Sequence, residues 1–504
     1  MPHCFRYRSA FLLQLSLASA FTAAAFATAA AAQAAPPLPP VSSLDTAQIL
    51  MLSDIHFDPF HDPTLVPQLV AAKVKDWPKI LATPATPESA KAYKDLQKTC
   101  NAKGSDTDYT LFASSLAAEK TQLPTPLFVT VSGDLMAHQF DCRFKALVPN
   151  GTEKQYSDFA ANTVAFVVQQ LRGSFPAAPV YFALGNNDSG CKDYHEDSGS
   201  AYLKADAHAF AEASGDSEVL KDFPALGDYK AKLPKPFINT SLLVMQDIFE
   251  ARKYETCGGK EPLGNMTPGE AQIAWLRKQL DEARAHHEHV WVMAHIPPGV
   301  DAYSTVTKSA KGKGSCAFAT PELFLNSELF ADALQDYPDV VSLVLLGHTH
   351  MDEMRIYPGK DGGAIPGKLI PSISPVDGNN PSFTVGMVDP AKAMLLDYTV
   401  YAASNQTGIS TSWEPEYTYS TTYRQFDYSA ASLTALTSAL LADHDSHTRE
   451  SKSYESFYFV GGATAGINLK AAALSMVWPI YTCSITHDHA ASFTACACPA
   501  AANP

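Results

Sequence analysis

Five short apolar runs stand out along the chain, at 48–53, 127–132, 180–184, 289–294 and 340–346. Each is near-continuous rather than alternating, the pattern of central strands covered on both faces. Between them lie longer, helix-prone stretches such as 156–171 and 268–285, the second opening after a Thr267-Pro268 start signal. Strand, crossover and strand in succession predict an α/β fold. From about Tyr401 the pattern changes. An aromatic stretch at 413–423 is expected to be a loop, followed by Ser/Ala/Leu-rich helices at 429–444 and 470–478 that would form a small helical C-terminal subdomain. No internal repeat is visible, which argues against a solenoid or propeller.

The N-terminus points to a compartment. Arg6 and Arg8 precede an Ala-rich apolar stretch from Phe11 to about Ala32, and Ala32-Gln33-Ala34 fits the small-x-small rule for signal cleavage. Residues 1–34 are therefore expected to be a signal peptide and 35–47 a Pro/Ala-rich linker. An uncleaved membrane anchor is the competing reading, disfavoured because alanine is weakly apolar and Pro36 to Pro40 follow. The expected location is secreted or periplasmic, with no transmembrane span after cleavage. Cysteine usage agrees: of nine cysteines Cys4 leaves with the signal, and an even number in an exported chain suggests disulfides. The expected pairs are Cys257 with Cys316, and Cys483 with Cys496 or Cys498. No paired C-x2-C spacing supports a thiolate zinc site.

Composition excludes classes without choosing one. With 504 residues, 46% of them hydrophobic and 18% charged, the chain can build a large core and is too apolar for disorder. A net charge of −15 argues against a nucleic-acid duplex as partner. An anionic substrate would then need a local source of positive charge, such as a bound metal.

The chemistry follows the apolar runs. They end in Ser53-Asp54-Ile55-His56, Ser132-Gly133-Asp134, Gly185-Asn186-Asn187-Asp188, Ala294-His295 and Gly347-His348-Thr349-His350. In open α/β sheets ligand sites gather outside the carboxyl ends of strands, so these residues are expected on one rim. In extended chain, i and i+2 point the same way, which would aim Asp54 with His56, and His348 with His350, at common points. Imidazole with carboxylate suits zinc first, with iron or manganese compatible, and the lack of thiolate argues against copper(I) or an iron–sulfur centre. Seven ligands are too many for one tetrahedral zinc and fit two divalent ions sharing a bridging carboxylate, a pair that can clamp a phosphoryl group.

The ordered set D-x-H, GD, GN-x-D, H and GHTH resembles the calcineurin-like metallophosphoesterase superfamily, from about Gln48 to Asp352. A narrower resemblance is to acid sphingomyelinase and its phosphodiesterase relatives. It rests on Ser53-Asp54-Ile55-His56-Phe57-Asp58-Pro59, Gly133-Asp134-Leu135-Met136-Ala137-His138 and His295-Ile296-Pro297-Pro298-Gly299. Gly347-His348-Thr349-His350-Met351-Asp352-Glu353, Ser374-Pro375 and Gly378-Asn379-Asn380-Pro381-Ser382-Phe383 add to it. The resemblance implies a two-sheet metallophosphoesterase sandwich with flanking helices over 48–400, and the helical subdomain over 401–504. It also implies Asp54, His56 and His350 on one zinc, Asn186, His295 and His348 on the other, and Asp134 bridging. The implied reaction is phosphodiester hydrolysis by a metal-bound hydroxide, with His138 protonating the leaving alkoxide.

Two departures qualify that picture. The position after the metal-binding Asn, a histidine in the sphingomyelinase pattern, is Asn187 here, which cannot act as a general acid. His138 would then protonate alone, or Asn187 would only hydrogen-bond a phosphate oxygen. Acid sphingomyelinase also has a saposin-like lipid-extracting domain ahead of its catalytic domain, and 35–47 leaves no room for one. Soluble diesters, nucleotide-type substrates and phosphocholine lipids stay open as substrates. Polyphosphatase relatives share the Gly-Asn-Asn-Asp loop, so an endopolyphosphatase or phosphomonoesterase is the alternative, and a silent binding protein the remaining one. Asp193, Tyr194 and His195 are expected to be a solvated loop, and His286, His287 and His289 a helix C-terminus. Sequons stand at Asn150, Asn187, Asn239, Asn265 and Asn405, of which Asn187 would block the pocket if glycosylated.

Overall fold

All five apolar runs are strands in the computed structural model, which describes residues 46–259, 267–309, 320–461, 474 and 477–498. In chain order the strands are β1 (Ala47–Leu52), β2 (Val129–Val131), β3 (Val180–Phe182), β4 (Tyr229–Lys232), β5 (Thr240–Val244) and β6 (His289–Met293). They continue as β7 (Val341–Leu346), β8 (Glu353–Pro358), β9 (Ala364–Leu369), β10 (Ser382–Asp389), β11 (Met394–Ala403) and β12 (Trp413–Thr418). They form two mixed six-stranded sheets, in the orders β12-β11-β10-β1-β2-β3 and β4-β5-β6-β7-β9-β8. In the first, β1, β2 and β3 are parallel, while β10 to β12 extend the sheet antiparallel. In the second, β5, β6, β7 and β9 are parallel and the edge strands β4 and β8 run against them. The chemistry-bearing runs are thus all parallel strands within their sheets.

The second sheet shows why its strands read as unbroken apolar runs. Successive side chains point to opposite faces, and both faces are covered. Leu242, Val244, Trp291, Met293, Leu343 and Leu345 pack into the core shared with the first sheet. Leu243, Val290, Val292, Val344 and Leu346 pack on the other face, against Ile273, Leu276 and Leu280 of the helix Thr267–Ala285 and Phe330 and Leu334 of the helix Leu329–Gln335. Trp291 crosses between the sheets, its Nε1 donating to Ala393 O at 2.7 Å. Helices Tyr109–Gln122 and Glu153–Ser174 contribute Phe112, Phe159 and Phe166 to the shared core. The protein is an α/β sandwich of two sheets with flanking helices and a helical C-terminal region.

Three expectations change. The aromatic stretch at 413–423 is not a loop: Trp413–Thr418 is the edge strand β12, pairing antiparallel with β11, and Tyr419–Tyr423 is a short helix. Pro415 lies within the strand, but an edge strand tolerates a missing N–H, and the register shifts at its partner Val400/Tyr401. The boundary expected at 400/401 falls inside β11, so the first sheet runs on past it. Cys257 pairs with Cys191, not Cys316, because the loop after Asn186 and the segment around Glu255 lie side by side, with Glu255 N donating to Tyr194 O at 3.1 Å. Cys100–Cys142 and Cys483–Cys496 are the other described disulfides, and Cys316 lies outside the described residues. So do residues 1–45, which include the expected signal peptide and most of the linker, and most of the helix expected at 470–478. The C-terminal helices include Ala430–Ala442, Arg449–Phe457, Trp478–Thr486 and Ala490–Ala497. Among the described residues no helix is long and apolar enough to cross a membrane.

One buried acid makes the fold pH-sensitive. Glu119 lies on the inner face of Tyr109–Gln122, fully buried, and burial pushes its carboxyl up to about 8, with only Ser115 pulling the other way. A folded-state value above the unfolded one means the native state binds the proton more tightly. That stabilisation is complete below about 4.5 and is lost as pH rises through about 8. Glu119→Gln should therefore gain melting temperature relative to wild type as the pH is raised from 5 to 9. A difference that stays constant across the series would contradict this origin.

Candidate metal centre

The ends of β1, β2, β3, β6 and β7 deliver Asp54 and His56, Asp134, Asn186, His295, and His348 and His350 to one rim. They do not arrive as extended chain. Asp54 (φ 48°), His56 (45°), Asp134 (54°), His348 (74°) and His350 (63°) all sit in the left-handed region. The sharp turns bring Asp54 and His56 together, but they send His348 and His350 apart, His348 to Asp134 and His295 and His350 to His56 and His138, against the expectation of a common point. Neighbouring loops hold these turns: Asp54 N donates to Gly133 O (3.0 Å), His56 N to Asp134 O (2.9 Å) and Phe57 N to Leu135 O (2.7 Å). Gly133 (φ 96°) must be glycine twice over, since a Cβ there would also lie 2.7 Å from His295 Nδ1. A Cβ on Gly185 would collide with the Asp134 carboxylate.

Three groups of side chains could hold an ion, with ligand atoms within 4.8 Å of one another: Asp54, His56 and Asp134; Asp134, His295 and His348; and His56, His138 and His350. Asp134 belongs to two of them, between the imidazoles. Its Oδ2 lies 3.4 Å from His56 Nε2 and 3.1 Å from His295 Nε2. Asp54 Oδ1 lies 3.4 Å from His350 Nε2.

The tautomers test whether these residues suit a cation. His56 Nδ1 is 2.8 Å from Met136 O and His295 Nδ1 is 2.7 Å from Ser132 O. A carbonyl only accepts, so both Nδ1 carry hydrogen and both neutral rings aim an Nε2 lone pair inward. His295 Nε2 and Asn186 Oδ1 are buried without a hydrogen-bond partner. Two carboxylates, inward lone pairs and an orphaned amide oxygen at one point call for positive charge, and the hard and borderline donors fit divalent zinc, iron or manganese. The proton affinities say the same. Burial favours neutral imidazole, yet Asp134 and its neighbouring carboxylates lift His56 to about 9 and His295 to about 10. Burial raises Asp54, but His350, His56 and His295 more than offset it and hold it near 2. His348, buried beside charged His295, falls to about 3.

His138 stands at the edge of the group. Its ring stacks on His56 with centroids 4.1 Å apart, and its side chain is 26% exposed, against 0% for His56. Asp106 fixes it twice, accepting from Nδ1 and from the backbone N of His138, both at 2.9 Å. Asp106 is itself held by Ser374 Oγ at 3.1 Å and by buried Arg143 at 3.6 Å. Asn187 turns inward: its backbone N and Nδ2 donate to the two oxygens of Asp134 at 2.8 and 2.9 Å, which orients that carboxylate.

Sequence reasoning missed the residues that hold this set. Asp106 follows no strand and carries no motif. Asp188 accepts from Leu135 N, Met136 N and Gly185 N, tying the Asp134 loop to the Asn186 loop. Its place in GN-x-D was the available signal. Asp193 and Tyr194 are not a solvated loop: Asp193 Oδ1 accepts from Asn186 Nδ2 at 2.9 Å, and the Tyr194 ring stands edge-on to His348 at 6.5 Å. His195 pairs with Glu255 at 3.0 Å, away from the centre. The Asn379 amide, from the Gly378-Asn379-Asn380-Pro381 motif, donates to Ser372 Oγ (2.9 Å) and Ser374 O (3.1 Å). Ser374 N in turn donates to Asp54 O (3.0 Å).

A family model described as calcineurin-like phosphoesterase matches residues 47–352. The chain is 27% identical over 402 residues to an acid sphingomyelinase-like phosphodiesterase 3b of Mus musculus, covering 77% of this chain and 78% of that protein. It is 26% identical over 305 residues to a cyclic GMP-AMP phosphodiesterase of Rattus norvegicus, covering 57% of this chain and spanning 61% of that relative's length. Among solved structures, a dimetal phosphatase from Danio rerio matches 74% of this chain and 100% of its own, at 11% identity and a TM-score of 0.38.

A centre that gathers inward lone pairs and carboxylates is least stable when empty. Chelator-treated protein should regain thermal stability on adding zinc, by about 2.7 kcal/mol at a hundredfold excess over the dissociation constant. Scanning calorimetry over a zinc titration measures it; a melting temperature indifferent to zinc would contradict the reading.

Proposed function

The chain belongs to the calcineurin-like phosphoesterase family, and from that premise we propose that it is an exported, dinuclear-metal phosphodiesterase of the acid-sphingomyelinase-like type. The observation that carries this reading is the presence of Asp134 in two of the three ion-holding groups, with imidazoles on either side. In the reading, Asp54, His56 and His350 hold one divalent ion, Asn186, His295 and His348 hold the other, and Asp134 is shared. Zinc is the metal proposed. Such a pair supplies an activated water and screens the charge on the phosphoryl oxygens.

The remaining steps belong to the chain. Asn187 keeps both Asp134 oxygens oriented toward the centre through its 2.8 and 2.9 Å bonds. His138 holds a proton at Nε2, its Nδ1–H committed to Asp106, and delivers it to the leaving alkoxide. The Asp106–His138 pair resembles the orienting carboxylate and general acid of other hydrolytic sites, in which the carboxylate fixes the tautomer. Asp193 and the Tyr194 backbone position Asn186 through its amide and its carbonyl. Export is supported by the basic-then-apolar leader and by three described disulfides. The names of the relatives support diesters with phosphocholine or nucleotide character as the substrate class.

Three variants separate the roles. His350→Ala and Asp134→Asn should lose bound zinc, counted by elemental analysis, and lose turnover of bis(p-nitrophenyl) phosphate with it. His138→Gln should keep its zinc and lose about 10²–10⁴-fold on diesters with alkyl leaving groups, which need a proton. It should lose far less on p-nitrophenyl esters, whose leaving group departs as a stable anion. Full activity in zinc-free Asp134→Asn would overturn the assignment, and an equal loss on both ester types would remove His138 as the acid.

A further inference from the structure

Beyond the ligands themselves, the turn that carries His348 and His350 is closed by a buried ion pair. β7 ends at Leu346 and β8 begins at Glu353, so Gly347 to Asp352 form the connection. Lys368, on β9, stands directly across from Leu345 at the near end of that connection. Its Nζ binds the carboxylate of Asp352 at the far end, and also donates to Leu369 O at 2.7 Å, with the ammonium 4.8 Å above the Tyr398 ring. Lys368 is fully buried and Asp352 nearly so. Tyr417 OH, from β12, donates to the other Asp352 oxygen at 2.6 Å, and Asp352 N donates to Tyr458 O at 2.9 Å. Tyr458 follows the helix Arg449–Phe457. The pair therefore joins both ends of the ligand-bearing turn to each other and to the C-terminal region.

Stability does not explain such a pair. Desolvating two charges costs several kcal/mol each, and hydrophobic residues of similar volume commonly serve as well or better. What the pair supplies is register. His348 and His350 both hold positive φ, a conformation that persists only where surroundings impose it. A salt bridge whose donors and acceptors are all engaged is directional in a way that an apolar contact is not.

We propose that Asp352, Lys368 and Tyr417 are positioning residues for the metal centre, so that its metal affinity is set in part by the C-terminal region. The proposal rests on His348 and His350 being ligands. Outer partners of metal ligands commonly shift affinity by about 10–100-fold, and this clamp acts one step further out, through the backbone of the turn.

Tyr417→Phe tests it on the full chain. The variant keeps the ring, stacked on Phe457 with centroids 4.4 Å apart, and removes only the hydroxyl. Zinc affinity, measured by competition with a chromophoric chelator, should weaken by about tenfold. The kcat at limiting zinc should fall and recover when zinc is raised, with KM for bis(p-nitrophenyl) phosphate unchanged. Asp352→Asn combined with Lys368→Met, which removes the pair without stranding a charge, should weaken zinc binding in the same direction. Tyr428→Phe is the control: it loses a buried hydroxyl bond to Gly367 O without touching Asp352, and should keep wild-type zinc affinity. Folded Tyr417→Phe and double variants with wild-type affinity, or an equal loss in Tyr428→Phe, would overturn the proposal. Wild-type protein that takes up no zinc in the same titration would instead overturn the reading of the centre, and this proposal with it.

Discussion

Backbone strain at the strand ends is the constraint on which the centre depends. Five of the side chains that converge there belong to residues with φ between 45° and 74°, each costing about 1–3 kcal/mol for a residue other than glycine. No single loop can hold that conformation alone. The loop after β1 hydrogen-bonds along the loop after β2, the Asp188 carboxylate ties the latter to the loop after β3, and Gly347 N donates to His295 O at 3.0 Å. His348 N closes the ring by donating to the Asp54 carboxylate. Each loop is thus held by a neighbour from a different strand: parallel pairing makes neighbours within each sheet, and the stacking of the two sheets brings the loop after β7 to the loop after β1.

Charge follows from the same geometry. Bringing Asp54 and Asp134 together inside the protein would be prohibitive without compensating positive charge. The same carboxylates raise the proton affinities of His56 and His295 above that of free imidazole, the response of groups placed where positive charge is favoured. The carbonyls of Met136 and Ser132, which fix which nitrogen faces inward, sit on the Asp134 loop itself. One short segment therefore supplies a shared carboxylate and orients two of the imidazoles around it.

How much of this was legible in the sequence depends on the range of the interaction. Near-continuous apolar runs marked β1, β2, β3, β6 and β7, because burial on both faces leaves a local trace. The residues following them were visible for the same reason. Strands β8 to β12 left a weaker trace: their apolar and polar positions mix. Asp106, Lys368 and the Cys191–Cys257 pairing left none, since each acts across the fold on a partner that no local pattern announces. Straight chain was the wrong premise: the backbone turns at Asp54, His56, His348 and His350, which brings Asp54 and His56 into one group but sends His348 to Asp134 and His295 and His350 to His56 and His138.

The surroundings of the centre are unequal on its two sides, and in the proposed reading that inequality directs the reaction. On the His56 and His350 side stands His138, with ring centroids 4.1 and 5.7 Å from theirs and a carboxylate behind it. On the His348 side stand Tyr194 and Phe324, edge-on at 6.5 and 5.6 Å, and neither replaces an imidazole as a proton donor at neutral pH. Asn187, at the position where a second acid would stand, has its amide engaged by Asp134. In-line displacement at phosphorus places the entering and leaving oxygens on opposite sides. A leaving alkoxide that needs a proton must then depart toward His138, and the attacking water must enter from the opposite face. In that reading the polarity of the cleaved ester follows from His138 standing on one side and Asn187, which cannot donate a proton, standing where a second acid would be.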